Sequence, residues 1–497
     1  MMDRRPRRVP VLDRRRLGVL LHLSSLPGDG PHGTLGPDAR RFVDVLASAG
    51  ASVWQVLPLG PPAGGSPYNS LSAHAGDPGL IDLPDLALHG LVDRGAAQAA
   101  MIDVSARPAL LQSAYSRFVE TAGAAWQAQW ADFQARHHEW LTDYCIFECV
   151  RAEQGGAPWW QWPAALRDRD AQVLARYAQS RACAVAAFAQ FIFFQQWQAL
   201  RDYASSRGVR FFGDMPMFMA EDSADVWAHR ELFVLNADGH PEIVAGVPPD
   251  YFSAQGQRWG NPHYRWEHMA ADGFAWWRKR VMTQRELFDW LRIDHFRGFV
   301  AAWAIPAAAQ TAASGQWMAV PGDALLAALE DALGDLPLIA EDLGIITDDV
   351  LALRDRYDLP GMRVLQFGFD GDPHSPHLPH NYATNSVAYT GTHDNDTTSG
   401  WYGALDARAR AIVRDYLPDA EADPAWAMLR TVTASVARFA VIPWQDVLGL
   451  GSDARMNTPG MSAGNWRFRF RWEDVPDGTL ARLAHLAFLY GRARPAG

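Results

Sequence analysis

Short apolar or β-branched runs recur along the chain, each closing on or passing through a polar residue. They are GVLLHL (18–23), VWQVLPL (53–59), VRFFGDMP (209–216), WLRIDHF (290–296), LPLIAEDLG (336–344), MRVLQFGFD (362–370), VAYTGTHDN (387–395) and FAVIPWQD (439–446). Most are separated by Ala/Leu/Arg-rich segments with helical spacing, such as ALLAALEDAL (324–333) and DDVLALRDRY (348–357). Apolar strands alternating with amphipathic helices predict an α/β fold whose parallel strands are covered on both faces. Eight such runs are the number that a closed (β/α)8 or TIM barrel requires. Barrels with insertions reach 497 residues, so residues 1–497 are read as one barrel domain.

The runs are unevenly spaced, and the gaps locate the insertions. After the second run comes a stretch rich in Ala, Gln and Trp with long helical patterns, AAWQAQWADFQARHHEWL (124–141) and AFAQFIFFQQWQALRDY (187–203). A mainly helical insertion is therefore expected over about 85–205. A second is expected after the third strand, over about 217–287, with the Gly/Pro-rich loop GVPPDYFSAQGQRWGNP (246–262) inside it. Insertions at the C-terminal ends of barrel strands border the active site. About 50 residues follow the eighth run, too few for an appended β-sandwich.

Composition narrows the class of function. Apolar residues make up 48% and charged residues 20%, a globular balance. A net charge of −11 argues against a nucleic-acid or anionic-membrane binder. No run reaches the roughly 18 apolar residues of a membrane span. The arginine-rich start ahead of Gly18–Leu23 has the outline of an export signal, but that apolar run is too short and no small-residue cleavage site follows. Three cysteines (Cys145, Cys149 and Cys183) with no CxxC spacing point to a reducing, cytoplasmic setting, where they pack as small apolar residues.

In a (β/α)8 barrel, polar residues at the C-terminal ends of strands face the active site. Three acids sit there: Asp294 in RIDHF, Glu341 in IAEDLG and Asp394 in GTHDN. Taken alone, Asp294 beside Arg292 reads equally as a structural ion pair. Cleavage of a glycosidic bond, however, needs two carboxyl groups flanking it, one ionised and one protonated. A third can hold sugar hydroxyls as the ring flattens.

The chain resembles the 4-α-glucanotransferases, also called amylomaltases or disproportionating enzymes, of the α-amylase clan. The resemblance is carried by HLSSLPG (22–28), SPYNSLSAHAGDP (66–78), GDMPMF (213–218) and GVPPDYFSAQGQRWGNPHYRW (246–266). It continues through LRIDHFRG (291–298), IAEDLG (339–344), GTHDNDT (391–397) and LGLGSDARMNTPG…GNW (448–466), in the family's order. Ser24 and Asn69 depart from the usual motif residues. The resemblance implies a retaining transfer of an α-1,4-glucan segment to the 4-OH of another glucan or of glucose. It implies malto-oligosaccharide or other α-1,4-glucan as donor and acceptor, with no cofactor. Asp294 then matches the nucleophile, Glu341 the general acid/base, and Asp394 the acid binding the distorted sugar. Arg292, His393 and Asp214 match supporting residues, and Asn457 falls in the last motif.

Physical chemistry supports these roles. Arg292 lies two positions from Asp294 on the same strand face and favours its ionised form. Burial and the nearby Asp294 carboxylate raise the pKa of Glu341 and keep it protonated. Tyr68, Tyr251, Phe252 and Trp259 offer aromatic faces for the apolar C–H faces of glucose, excluding water so that transfer outcompetes hydrolysis. An α-1,4-glucan hydrolase with the same acids is the alternative. A non-catalytic glucan-binding barrel would be expected to lack one acid, and all are present. DNDTTSG (394–400) has the outline of a calcium loop, but Leu405 occupies the position of the bidentate glutamate, so no metal is expected. Asp342 is read as a helix N-cap.

Overall fold

The computed structural model describes residues 11–249, 255–461 and 463–493. Its strands in chain order are β1 (Arg16–Leu20), β2 (Val53–Gln55), β3 (Arg210–Met215), β4 (Ile243–Val247), β5 (Gln257–Pro262) and β6 (Trp290–Ile293). They continue with β7 (Ala301–Pro306), β8 (Gln316–Ala319), β9 (Leu338–Ala340), β10 (Gly361–Val364), β11 (Ser386–Tyr389) and β12 (Phe439–Pro443). Eight of them close a barrel in the order β1-β12-β11-β10-β9-β6-β3-β2. Each of the eight apolar runs supplies one barrel strand, and every barrel pairing is parallel.

Side chains alternate across the barrel wall, as the strand period of two demands. Phe212, Trp290, Ile339, Val364, Tyr389 and Val441 fill the interior, whereas Leu17, Leu291, Leu338, Ala388 and Ile442 pack outward against the helices. Each fully buried aromatic or aliphatic side chain contributes about 1.5–3 kcal/mol relative to exposure. Continuing the same alternation past the ends of β6 and β9 turns Asp294 and Glu341 toward the axis.

Between β2 and β3 the chain is helical, from Leu83–Leu88 to the long helices Ala124–Glu153 and Arg181–Ser206. The second half of Arg181–Ser206 lies on the barrel, with the Trp197 ring 4.6 Å from that of Phe211 on β3. The segments after β3 and β6 meet in a four-stranded antiparallel sheet ordered β5-β4-β7-β8. The stretch 246–262, expected to be a loop, therefore begins in β4 and ends in β5. The excursion of β7 and β8 after the fourth barrel strand was not expected at all. AAWAIPAAAQTAAS has weak strand propensity, and its extended form depends on pairing with β4, a tertiary effect that local pattern cannot carry.

Asp342 does not cap a helix. Its carboxylate accepts a 2.7 Å bond from the Met362 N–H, and Arg354 and Arg363 pair with it. Gly361 leaves room for it, because a Cβ there would stand 2.4 Å from an Asp342 oxygen. Beyond β12 the described residues form helices and irregular segments, ending near Arg492. Arg492 is fully buried and donates to the carbonyls of Thr433, Ser435, Ala437, Arg438 and Arg16. It thereby closes the seam where β1 meets β12, at the end of the barrel opposite Asp294.

Candidate active site

β3 and β6 are neighbours, and their register places Asp214 directly opposite Arg292. Both side chains enter the barrel, where water is excluded, so neither charge is tolerable without the other. The Arg292 Nη1 donates to both Asp214 oxygens at 2.8 Å. Its Nη2 lies 2.8 Å from Asp294 Oδ1. Burial alone would lower the Arg292 pKa, but Asp214 and Asp294 outweigh it and keep the guanidinium charged. Burial pushes the Asp214 carboxyl upward while Arg292 opposes it, and the two charge-assisted hydrogen bonds hold the pair ionic. The Tyr68 hydroxyl donates to Asp214 Oδ2 at 2.8 Å.

Asp294 is held at its backbone by a 3.0 Å bond from its N–H to the Met215 carbonyl. Its side chain is 30% exposed, whereas that of Asp214 is fully enclosed. Of the two acids sharing Arg292, only Asp294 is open to a ligand. His295 follows in the left-handed region (φ 54°), which turns the chain sharply after the strand. That turn points the His295 N–H at Glu341 Oε2, 2.7 Å away, while the Leu343 N–H reaches Oε1 at 3.1 Å. Burial pushes the Glu341 carboxyl up to about 8; Arg292 opposes this and the Asp294 carboxylate adds to it. The site thus holds one carboxyl against a guanidinium and a second, buried one that favours its proton.

Asp394 stands on the loop after β11. The Asn457 side-chain amide donates to its Oδ1 at 2.6 Å, and His393 Nε2 lies 3.3 Å from the same oxygen. Arg455 donates to the Asp394 carbonyl at 2.6 Å. His393 in turn stacks on Tyr68, with centroids 5.1 Å apart and planes 15° from parallel. Tyr68 therefore joins the Asp214–Arg292–Asp294 chain to the His393–Asp394 pair. Trp259, on β5, meets the edge of His295 at 4.9 Å and is 39% exposed. Tyr251 and Phe252 lie outside the described residues.

Every described candidate from the sequence is accordingly brought to this end of the barrel. Three neighbours were not singled out. Arg455 touches Asp394, and Trp466 lies 5.8 Å from Tyr68 and 6.1 Å from His393. His22 is buried beside His393 with its pKa lowered to about 3 by that burial. Arg455 and Trp466 fall in the last quoted motif, but no periodicity marks them there. The DNDTTSG stretch forms a helix start instead of a cation loop, with Thr397 accepting from the Gly400 N–H. Among the described residues no group of three or more metal-ligating side chains gathers.

A closed eight-stranded barrel with its acids at the C-terminal strand ends is the architecture of the (β/α)8-barrel enzymes. The chain belongs to the 4-alpha-glucanotransferase family, whose model matches residues 21–474. It is 47% identical to the 4-alpha-glucanotransferase of Thermus thermophilus over 491 residues, covering 95% of this chain and 98% of that one. A chloroplastic/amyloplastic 4-alpha-glucanotransferase of Solanum tuberosum is 42% identical, covering 98% and 88% respectively. Amylomaltase from Streptococcus agalactiae, solved with acarbose, superposes with a TM-score of 0.92 at 37% identity, over 97% of this chain and 100% of that one.

Proposed function

We propose that this protein cleaves an α-1,4-glucan and transfers the donor segment to the 4-OH of another glucan or of glucose, with retention of configuration. The single observation that carries the mechanism is the opposed environment of two carboxyls, Asp294 at 2.8 Å from Arg292 and Glu341 pushed up to about 8 by burial. Asp294 attacks the anomeric carbon as Glu341 gives its proton to the departing glycosidic oxygen. The reducing-end segment leaves, and the donor segment remains as an ester on Asp294. That ester is neutral, so the repulsion that helped hold the proton on Glu341 falls. The Glu341 carboxylate then takes the proton of the acceptor 4-OH, which attacks from the side the leaving group vacated. Two inversions give net retention.

Asp394, poised by Asn457 and His393, accepts hydroxyls of the flattened ring. Asp214 has no free face for sugar, and its role is to fix Arg292; Tyr68 offers its ring between them. Trp259, half open beside His295, suits an acceptor platform that displaces water. Unpaired, buried Cys145, Cys149 and Cys183 fit a reducing compartment such as the cytoplasm. Among the described residues no helix is long and apolar enough to cross a membrane.

Maltotriose as sole substrate tests the reading. Transfer yields glucose and longer oligomers at a constant total of reducing ends. A steady rise in reducing ends would instead mark a hydrolase.

A further inference from the structure

Asp446 takes no part in the steps above, yet it is a fully enclosed carboxylate a few residues beyond β12, only 1% exposed. Its Oδ2 accepts from the Thr390 hydroxyl at 2.5 Å and from the Thr398 hydroxyl at 2.7 Å. Its Oδ1 accepts from the Thr398 N–H at 2.7 Å. Thr390 leaves β11 and Thr398 begins the next helix, so they are the two feet of the loop that carries His393 and Asp394. Asp446 also heads the segment leading to Arg455 and Asn457, the residues that grip Asp394 from the other side. Both arms that hold Asp394 thus start from one buried carboxylate.

We infer that Asp446 is a positioning residue for the transfer reaction: it draws the two feet of the loop together and sets Asp394 for the distorted sugar. The inference rests on the proposed role of Asp394. A carboxyl group with three donors and, among the described residues, no ion-pair partner is a costly thing to bury, and a hydrophobic plug would close the loop without it. Its three bonds fix direction as well as distance, which apolar packing does not. Displacing Asp394 by a fraction of an ångström leaves ground-state contacts spread over many sugars nearly intact. It weakens the contact that matters only as the ring flattens.

The test compares Asp446→Asn with Thr390→Val and Thr390→Ser in maltotriose disproportionation. Asp446→Asn is expected to lower kcat by about 10²-fold, the size of effect that a small misplacement produces. Maltotriose affinity, measured by calorimetry in an Asp294→Ala background to prevent turnover, should change less than about threefold. Thr390→Val should lower kcat about tenfold with Thr390→Ser restoring it, and this pair decides the matter if Asp446→Asn does not fold. Wild-type kcat in Asp446→Asn, or equal kcat in the two Thr390 variants, overturns the inference. So does an affinity loss matching the loss in kcat/KM. Asp394→Asn separates the two readings. If it keeps full activity, the role given to Asp394 falls; if it is inactive while Asp446→Asn is normal, only the positioning role falls.

Discussion

At the scale of residues, the site is an exercise in keeping like charges apart in protonation state. Arg292 is shared between Asp214 and Asp294, but the partners differ in access, and only Asp294 meets solvent. Glu341 is the group whose titration governs the first step. It must carry its proton to protonate the leaving oxygen, and burial holds that proton up to about 8. The kcat/KM profile for maltotriose is therefore expected to stay flat through neutrality and fall as pH rises past about 8. A fall already complete by pH 6, read from the same profile, would contradict this. The same shift bears on stability. The folded-state pKa of Glu341 lies above its unfolded value, so its contribution is fully present at low pH and lost as pH rises through about 8. Glu341→Gln should then lower kcat by about 10²–10⁴-fold. The Gln amide nitrogen must face one of the two N–H groups that the carboxyl accepts from. It cannot ionise, however, so the Tm of the variant relative to the parent should rise as pH rises through about 8, as thermal melts across pH would show. The strand-end acids were legible in the sequence because a barrel turns strand ends toward its mouth. The pairing of Asp214 with Arg292 was not, since it depends on the relative register of β3 and β6, which neither segment encodes alone.

At the scale of elements, the antiparallel sheet of β4, β5, β7 and β8 shows where local pattern fails. Its strands are short and alanine-rich or glycine-broken, and they are stabilised by one another across 243–319. A glycine-rich stretch such as 246–262 signals a turn in either case, so the sequence marks the place but not the form. The sheet has a functional consequence, because it carries Trp259 to the rim beside His295. A residue on a paired strand holds its ring more firmly than one on a free loop. Trp259→Ala is expected to raise KM for glucan acceptors about tenfold, the value of one well-placed aromatic face. It should also raise the share of hydrolysis, seen as new reducing ends from maltotriose. An unchanged product distribution would remove Trp259 from the acceptor path.

At the scale of the whole molecule, the eight barrel strands were readable because each is a buried apolar run, and the order of their polar ends did the rest. The closure of the ring was not readable. It is made by the parallel pairing of β1 with β12, and Arg492 reinforces it with a guanidinium that donates to five carbonyls at the seam. Burial lowers its pKa to about 9 and it remains a cation at neutral pH. Arg492→Ala removes all five bonds, although Arg15 still donates to the Thr433 and Ser435 carbonyls and the Arg16 N–H to that of Arg438. It should cost about 1–3 kcal/mol in denaturant unfolding. Arg492→Lys should recover little, since one ammonium cannot span a planar fan of acceptors. Activity per folded molecule should hold in both, because the seam is at the far end from Asp294. The seam also governs the order of events on the ribosome. β1 is synthesised well before β12, so one of its edges waits for β12 and for the arginine after it. Until β12 has emerged the nascent chain carries an open strand edge, an invitation to pair with another chain. A chain released before residue 492 would lack these five bonds at the seam of its ring.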